Sequence, residues 1–128
     1  MLLSIDYGQK YIGLALASPE VAIATPYKTI IRKNFSWWQE LKDVVLKEKV
    51  SKIIIGYPLG LNSVPSQQTK KIKTFFEECQ QRFDLPVLLF DERMTSKMAE
   101  KFSSPKKENH AIAASIILQD YLDYFSRN

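Results

Sequence analysis

The chain has 128 residues, 45% of them hydrophobic and 25% charged, with 18 Lys+Arg against 14 Asp+Glu for a net charge of +4. That length fits one domain spanning residues 1–128, large enough to bury a core without staples, and the composition excludes a disordered or fibrous chain. A single cysteine, Cys79, and a single histidine, His110, exclude an internal disulfide and a Cys/His zinc site built from this chain alone.

Leu2–Asp6 is a short apolar run ending at the turn-forming Tyr7-Gly8. It lacks a basic leader and Asp6 interrupts it at once, so a secretion signal is not expected. No apolar stretch approaches the roughly 20 residues that span a bilayer, so a cytoplasmic protein with no membrane partner is expected. Tyr11–Ala17 reads as a second strand, Y-I-G-L-A-L-A, whose small residues permit close backbone approach. With the intervening G-Q-K it forms a hairpin. Residues 23–31 are Thr-rich and interrupted by Pro26, which suits an edge strand. Asn34-Phe35-Ser36 then offers caps for a helix carrying Trp37, Trp38, Leu41, Val44, Val45 and Leu46 at helical spacing. Trp37 and Trp38 are adjacent and cannot both sit on one core stripe. One of them is expected half-buried against a loop, or free as a dimer contact or stacking platform.

Lys52–Gly56, K-I-I-I-G, is a β-branched run of the kind buried on both faces of a sheet. After a loop, Ser66 opens a second helix, with Ile72, Phe75, Phe76, Cys79 and Phe83 along one stripe. Cys79 is therefore expected to be core packing. Pro86–Asp91, P-V-L-L-F-D, is another buried strand. Thr95 or Ser96 caps a short helix with Met98, Ala99 and Phe102, a basic loop follows, and a final helix runs from Ala111. The order β-β-β-α-β-α-β-α-α gives an α/β fold. Its mixed five-stranded sheet has three antiparallel leading strands and later parallel ones, flanked by helices. No G-x-G-x-x-G follows the first strand, so a dinucleotide site is excluded.

Asp6, Asp91 and Glu92 lie at strand ends rather than on helix faces. Carboxylates there either bond nearby turn amides or converge over one sheet edge. Converging carboxylates bind hard cations such as Mg²⁺, which stabilise in-line phosphoryl displacement. Lys70, Lys71 and Lys73 cluster on one segment and Lys97, Lys101, Lys106 and Lys107 on another. With an isoelectric point near 9.1, these fit either solvated faces or a polyanionic partner.

Four blocks in order carry a family resemblance nearly end to end. They are D-Y-G-Q-K-Y-I-G-L-A from Asp6, G-Y-P-L-G at Gly56–Gly60, D-E-R-M-T-S at Asp91–Ser96, and A-I-A-A-S-I-I-L-Q-D-Y-L from Ala111. The chain resembles the YqgF/RuvX family of pre-16S rRNA nucleases and Holliday-junction-resolvase-like proteins. That resemblance implies an RNase H-like fold and a hydrolase cutting phosphodiester bonds in ribosome biogenesis, with a divalent metal, Mg²⁺ or Mn²⁺. It implies that Asp6 and Glu92 are catalytic metal ligands, with Asp91 as the alternative to Glu92. Arg93 would contact substrate phosphate or orient a carboxylate. Lys10 and Thr95 match motif positions for substrate binding, and equally suit a turn and a cap.

Where the family carries an aspartate ahead of its last-helix run, this chain has His110. On a helix, His110 shares a face with Ala114, Ile117 and Tyr121 and is expected to look toward the sheet as a catalytic metal ligand. Imidazole is a softer, uncharged ligand and favours Mn²⁺. The alternative is a packed or capping histidine in a weakened site. Glu108 lies on another face and is a poor substitute. The loop after Gly56 departs as well, with Gly60, Asn62 and Ser63 where the family has polar, acidic and glycine positions. The partner implied is nucleic acid, either a ribosomal RNA precursor or branched DNA, and the protein a monomer or homodimer. A binding or assembly factor that has lost its catalytic site is the reading from another class.

Overall fold

β-Branched runs make the strands, and the length of each connection sets their direction. In a computed structural model describing residues 1–57, 67–91 and 107–126, three strands come first: β1 (Leu2–Tyr7), β2 (Tyr11–Ala17) and β3 (Thr25–Ile31). Then follow α1 (Trp37–Lys47), β4 (Lys52–Tyr57), α2 (Gln67–Arg82), β5 (Val87–Asp91) and a last helix, α3 (Lys107–Ser126). The strand order is β3-β2-β1-β4-β5. β2 is antiparallel to β1 and β3, while β4 runs parallel to β1 and β5. This is the expected mixed sheet: the short connections 8–10 and 18–24 join antiparallel neighbours, and helical crossovers allow parallel ones.

The boundaries differ in instructive ways. β1 extends to Tyr7 because Tyr7 still pairs with Ile12 across the hairpin. β3 starts at Thr25, and Pro26 sits where the register shifts between Leu14 and Ala15. A bulge on an edge strand tolerates a missing N–H. Ser36 occupies the N-cap of α1 but makes no side-chain cap hydrogen bond. α3 begins at Lys107 rather than Ala111, which brings His110 into the helix. The expected Ser66 cap and the short helix around Met98, Ala99 and Phe102 lie outside the described residues. Among the described residues no helix is long and apolar enough to cross a membrane.

Strand alternation divides the core in two. Leu3, Ile5, Ile12, Leu14, Ile53 and Ile55 pack with Leu41, Val44, Phe75 and Cys79 from α1 and α2. On the other face, Ala15, Ala17, Ile54 and Phe90 pack against Ala114, Ile117, Leu118 and Tyr121 of α3. Ile53, Ile54 and Ile55 are all buried, as a central parallel strand requires. Both tryptophans reach the α1/α2 core from half-buried positions, against the expectation that only one could. They stack with centroids 4.6 Å apart and meet Phe75 at 6.2 Å and 5.5 Å, so the pair wedges onto one ring instead of sharing a stripe.

Cys79 is fully buried, as its place on the stripe predicts, and burial pushes its thiol up to about 12. The thiolate is the reactive form. Native protein at pH 8 is therefore expected to resist iodoacetamide for hours and to gain one adduct within minutes in guanidinium, read by intact mass. Rapid labelling of native protein would contradict this burial.

Candidate active site

The candidate site forms where the end of β1 meets the first turn of α3. Leu3 and Ile5 enter the α1/α2 core, so alternation sends Ser4 and Asp6 to the α3 face. Ser4 is buried there and its hydroxyl donates to the Ala114 carbonyl at 2.6 Å. Asp6 pairs across the hairpin with Gly13. A Cβ at Gly13 would overlap the His110 carbonyl and lie 2.7 Å from the Ala111 nitrogen. Glycine at this position lets the backbone of α3 rest directly on the sheet.

That docking brings Asp6 and His110 together. His110 Nδ1 lies 3.4 Å from Asp6 Oδ2, with side chains 19% and 27% exposed, so both remain reachable from solvent. The Tyr11 ring flanks the imidazole at 5.2 Å between centroids. Gly8 lies beneath it: a Cβ there would sit 3.4 Å from His110 Cε1 and 2.7 Å from the Tyr11 carbonyl oxygen. His110 thus looks toward the sheet, as its spacing with Ala114, Ile117 and Tyr121 predicts.

Lys10 is exposed on the β1–β2 turn, four residues after Asp6 in the chain. Asp91 ends β5 opposite Tyr57. Since Val87 and Leu89 pack on the α1/α2 core and Phe90 on the α3 side, alternation sends Asp91 away from the face of Asp6. Glu92, Arg93 and Thr95 lie outside the described residues, as do Gly60, Asn62 and Ser63. Among the described residues no group of three or more His, Cys, Asp or Glu is placed to hold a metal ion.

The first turn of α2 meets the end of β1 beside this site. Gln68 donates its side-chain N–H to the Tyr7 carbonyl at 3.2 Å, tying the first turn of α2 to the end of β1. Tyr7 stacks on Phe75 at 4.1 Å, and burial raises the pKa of its phenol. The first turn of α2 carries no acid, and Lys70, Lys71 and Lys73 are exposed along its amino-terminal half. Cations there add to the positive end of the helix dipole, which favours an anionic ligand.

Sequence reasoning missed Ser4 and Arg32, the latter bonded to the Gly8 and Gln9 carbonyls. Neither has a motif. The glycine inside β2 did carry a readable signal, because glycine in a strand marks a bulge or a close approach.

Comparison with known proteins gives one consistent answer. A family model described as "RuvX: Holliday junction resolvase" matches residues 1–124. A "Putative pre-16S rRNA nuclease" of Maridesulfovibrio salexigens is 36% identical over 130 residues, covering 94% of this chain and 96% of that protein. Its namesake in Rickettsia africae is 37% identical over 131 residues, covering 95% and 85%. A third, from Rickettsia canadensis, is 34% identical over 135 residues, covering 98% and 88%.

Proposed function

This chain belongs to the RuvX family of Holliday junction resolvases, and from that premise we propose that it is a divalent-metal-dependent nuclease acting in 5′-end maturation of pre-16S rRNA. The observation that carries the reading is the placement of Asp6 beside His110 at the open end of β1. Their 3.4 Å separation is long for a hydrogen bond, whose N–H···O distance is about 2.9 Å. Two donors sharing one small divalent ion at ~2.1 Å, a right angle apart, lie ~3 Å from each other. A carboxylate oxygen and an imidazole nitrogen at this distance would together suit one divalent ion. By the family resemblance of the D-E-R-M-T-S block, Glu92 is the proposed third donor, with Asp91 as its alternative.

When bound, a divalent ion supplies charge neutralisation at the phosphoryl oxygens. The protein's own part is to orient and bind. Asp6, at the end of β1, and His110, in the first turn of α3, would hold the ion, and Tyr11 and Gly8 flank the imidazole. Lys10 attracts substrate phosphate, Arg93 and Thr95 serve the same end, and Lys70, Lys71 and Lys73 supply sequence-independent affinity. A cytoplasmic compartment follows from an rRNA precursor as substrate. The family description favours a second reading of the same chemistry, a nuclease for branched DNA.

The test is cleavage of labelled single-stranded RNA and of a DNA four-way junction with Mg²⁺, Mn²⁺ or EDTA. The parent is expected to cut RNA about 10-fold faster with Mn²⁺ than with Mg²⁺, because imidazole is the softer donor. His110→Asp is expected to erase that preference, and His110→Ala to lose about 100-fold with either ion. Cleavage that persists in EDTA, or a fully active His110→Ala protein, would remove the metal reading. Salt-sensitive binding without cleavage of either substrate would favour the assembly-factor reading.

A further inference from the structure

Four consecutive carbonyls line the turn that follows Asp6, and each is captured from outside the hairpin strands' own ladder. The Tyr7 carbonyl accepts from Gln68 Nε2. The Gly8 and Gln9 carbonyls both accept from Arg32 Nη1, at 3.2 Å each. The Lys10 carbonyl accepts from the Arg32 backbone N–H at 2.9 Å. Three of the four ties come from one residue, immediately past the end of β3.

The guanidinium itself is held as a plane. Its Cζ lies 4.5 Å from the centroid of Tyr7 and 5.5 Å from that of Trp37. Arg32 Nε is buried without a hydrogen-bond partner among the described residues, a costly arrangement for a charged fork. Aromatic faces and two carbonyls offset that cost. A lysine could not reproduce this, since a point ammonium lacks the flat fork that stacks and bridges.

The turn is the floor of the candidate site. Gly8 lies against the His110 ring, and Asp6 precedes it by two residues. Any shift of the turn toward α3 meets the imidazole, and any shift away leaves it unsupported. We infer that Arg32 is a positioning residue, which clamps the Gly8–Lys10 turn so that the Asp6 carboxylate and the His110 ring keep their mutual orientation. The consequence for an ion rests on the reading of Asp6 and His110 as its ligands, whereas the consequence for the turn does not.

His110 is the one histidine of the chain, so its ring signals in NMR identify themselves. The experiment records them for the parent, Arg32→Ala and Arg32→Lys, first without metal and then during a Mn²⁺ titration. Lys28→Ala, which breaks the surface pair of Lys28 on β3 with Glu40 on α1, is the control. Without metal, the His110 signals are expected to move in Arg32→Ala, to move less in Arg32→Lys, and to stay in place in the control. Broadening by Mn²⁺ is expected to need about 10- to 100-fold more ion in Arg32→Ala, the usual cost of losing an orienting contact. kcat should fall by a similar factor with KM for RNA little changed. Arg32→Lys keeps the charge, and so remains informative if Arg32→Ala fails to fold. Unmoved His110 signals in a folded Arg32 variant would overturn the inference. Signals that move in the variants while the parent shows no broadening would uphold the clamp and overturn the metal reading.

Discussion

Asp6→Asn is expected to leave a folded protein whose cleavage of RNA is at least about 10³-fold slower than the parent's. Asparagine keeps the shape of aspartate and removes its charge, so a binding oxygen remains but its attraction for a cation does not. Asp6 is partly exposed and pairs through its backbone with Gly13, which substitution leaves intact. The fold should therefore survive, with a melting temperature within a few degrees of the parent. Charge stabilisation by a held ion amounts to several kcal/mol in the transition state, and 10³-fold corresponds to about 4 kcal/mol. Binding of RNA at fixed salt should be unchanged or slightly tighter, because one negative charge leaves a basic surface. Cleavage assays at several Mn²⁺ concentrations decide the matter. Activity within 10-fold of the parent at every concentration would mean that Asp6 is a turn residue, bonded to nearby amides, and that the chemistry lies elsewhere.

The second large effect concerns a residue with no side chain. Gly13→Ala places a methyl group inside the His110 carbonyl and 2.7 Å from the Ala111 nitrogen. All three atoms belong to backbone, so no rotamer change relieves the overlap. The first turn of α3 must lift from the sheet, loosening the packing of Ala114 and the Ser4 hydrogen bond to its carbonyl. Overpacking a well-filled core costs about 1–3 kcal/mol, and a purely backbone clash belongs at the upper end. A loss of about 3 kcal/mol lowers Tm by roughly 10 °C in a chain of this size. The same movement separates His110 from Asp6, so activity per folded molecule should fall as well, by about 100-fold. Thermal unfolding and cleavage measured on one preparation test both parts. A Gly13→Ala protein that melts and cuts like the parent would show that α3 does not rest on β2 as described.

These two residues also mark the boundary between what could be read from the chain and what could not. Asp6 was legible: an acid closing an apolar run, inside a block resembling one family's first strand. Gly13 was half legible, since a glycine within Y-I-G-L-A-L-A announces close approach but not of what. Ser4 and Arg32 were not legible. A serine inside an apolar strand and an arginine after a Thr-rich one have many ordinary uses, and their partners, Ala114 and the Gly8–Gln9 carbonyls, are 110 and 24 or 23 residues away. The tryptophan pair shows the same limit. Helical spacing said that both could not share a stripe, while the ring of Phe75, from another helix, gave both a place to pack.

By itself, then, the sequence determined the mixed sheet, the order of the described elements and the family. Those follow from local facts: the period of apolar residues, the length of each connection, and motifs contiguous in the chain. Resemblance placed Asp6 and His110 at one site, but only tertiary structure set their 3.4 Å approach, the backbone contact of α3 on Gly13, and the hold of Arg32 on the turn beside them. The reason is physical. Contacts between residues distant in sequence depend on how two finished elements dock, and α3 docks where a missing Cβ lets backbone touch backbone, a distance that no spacing along the chain encodes.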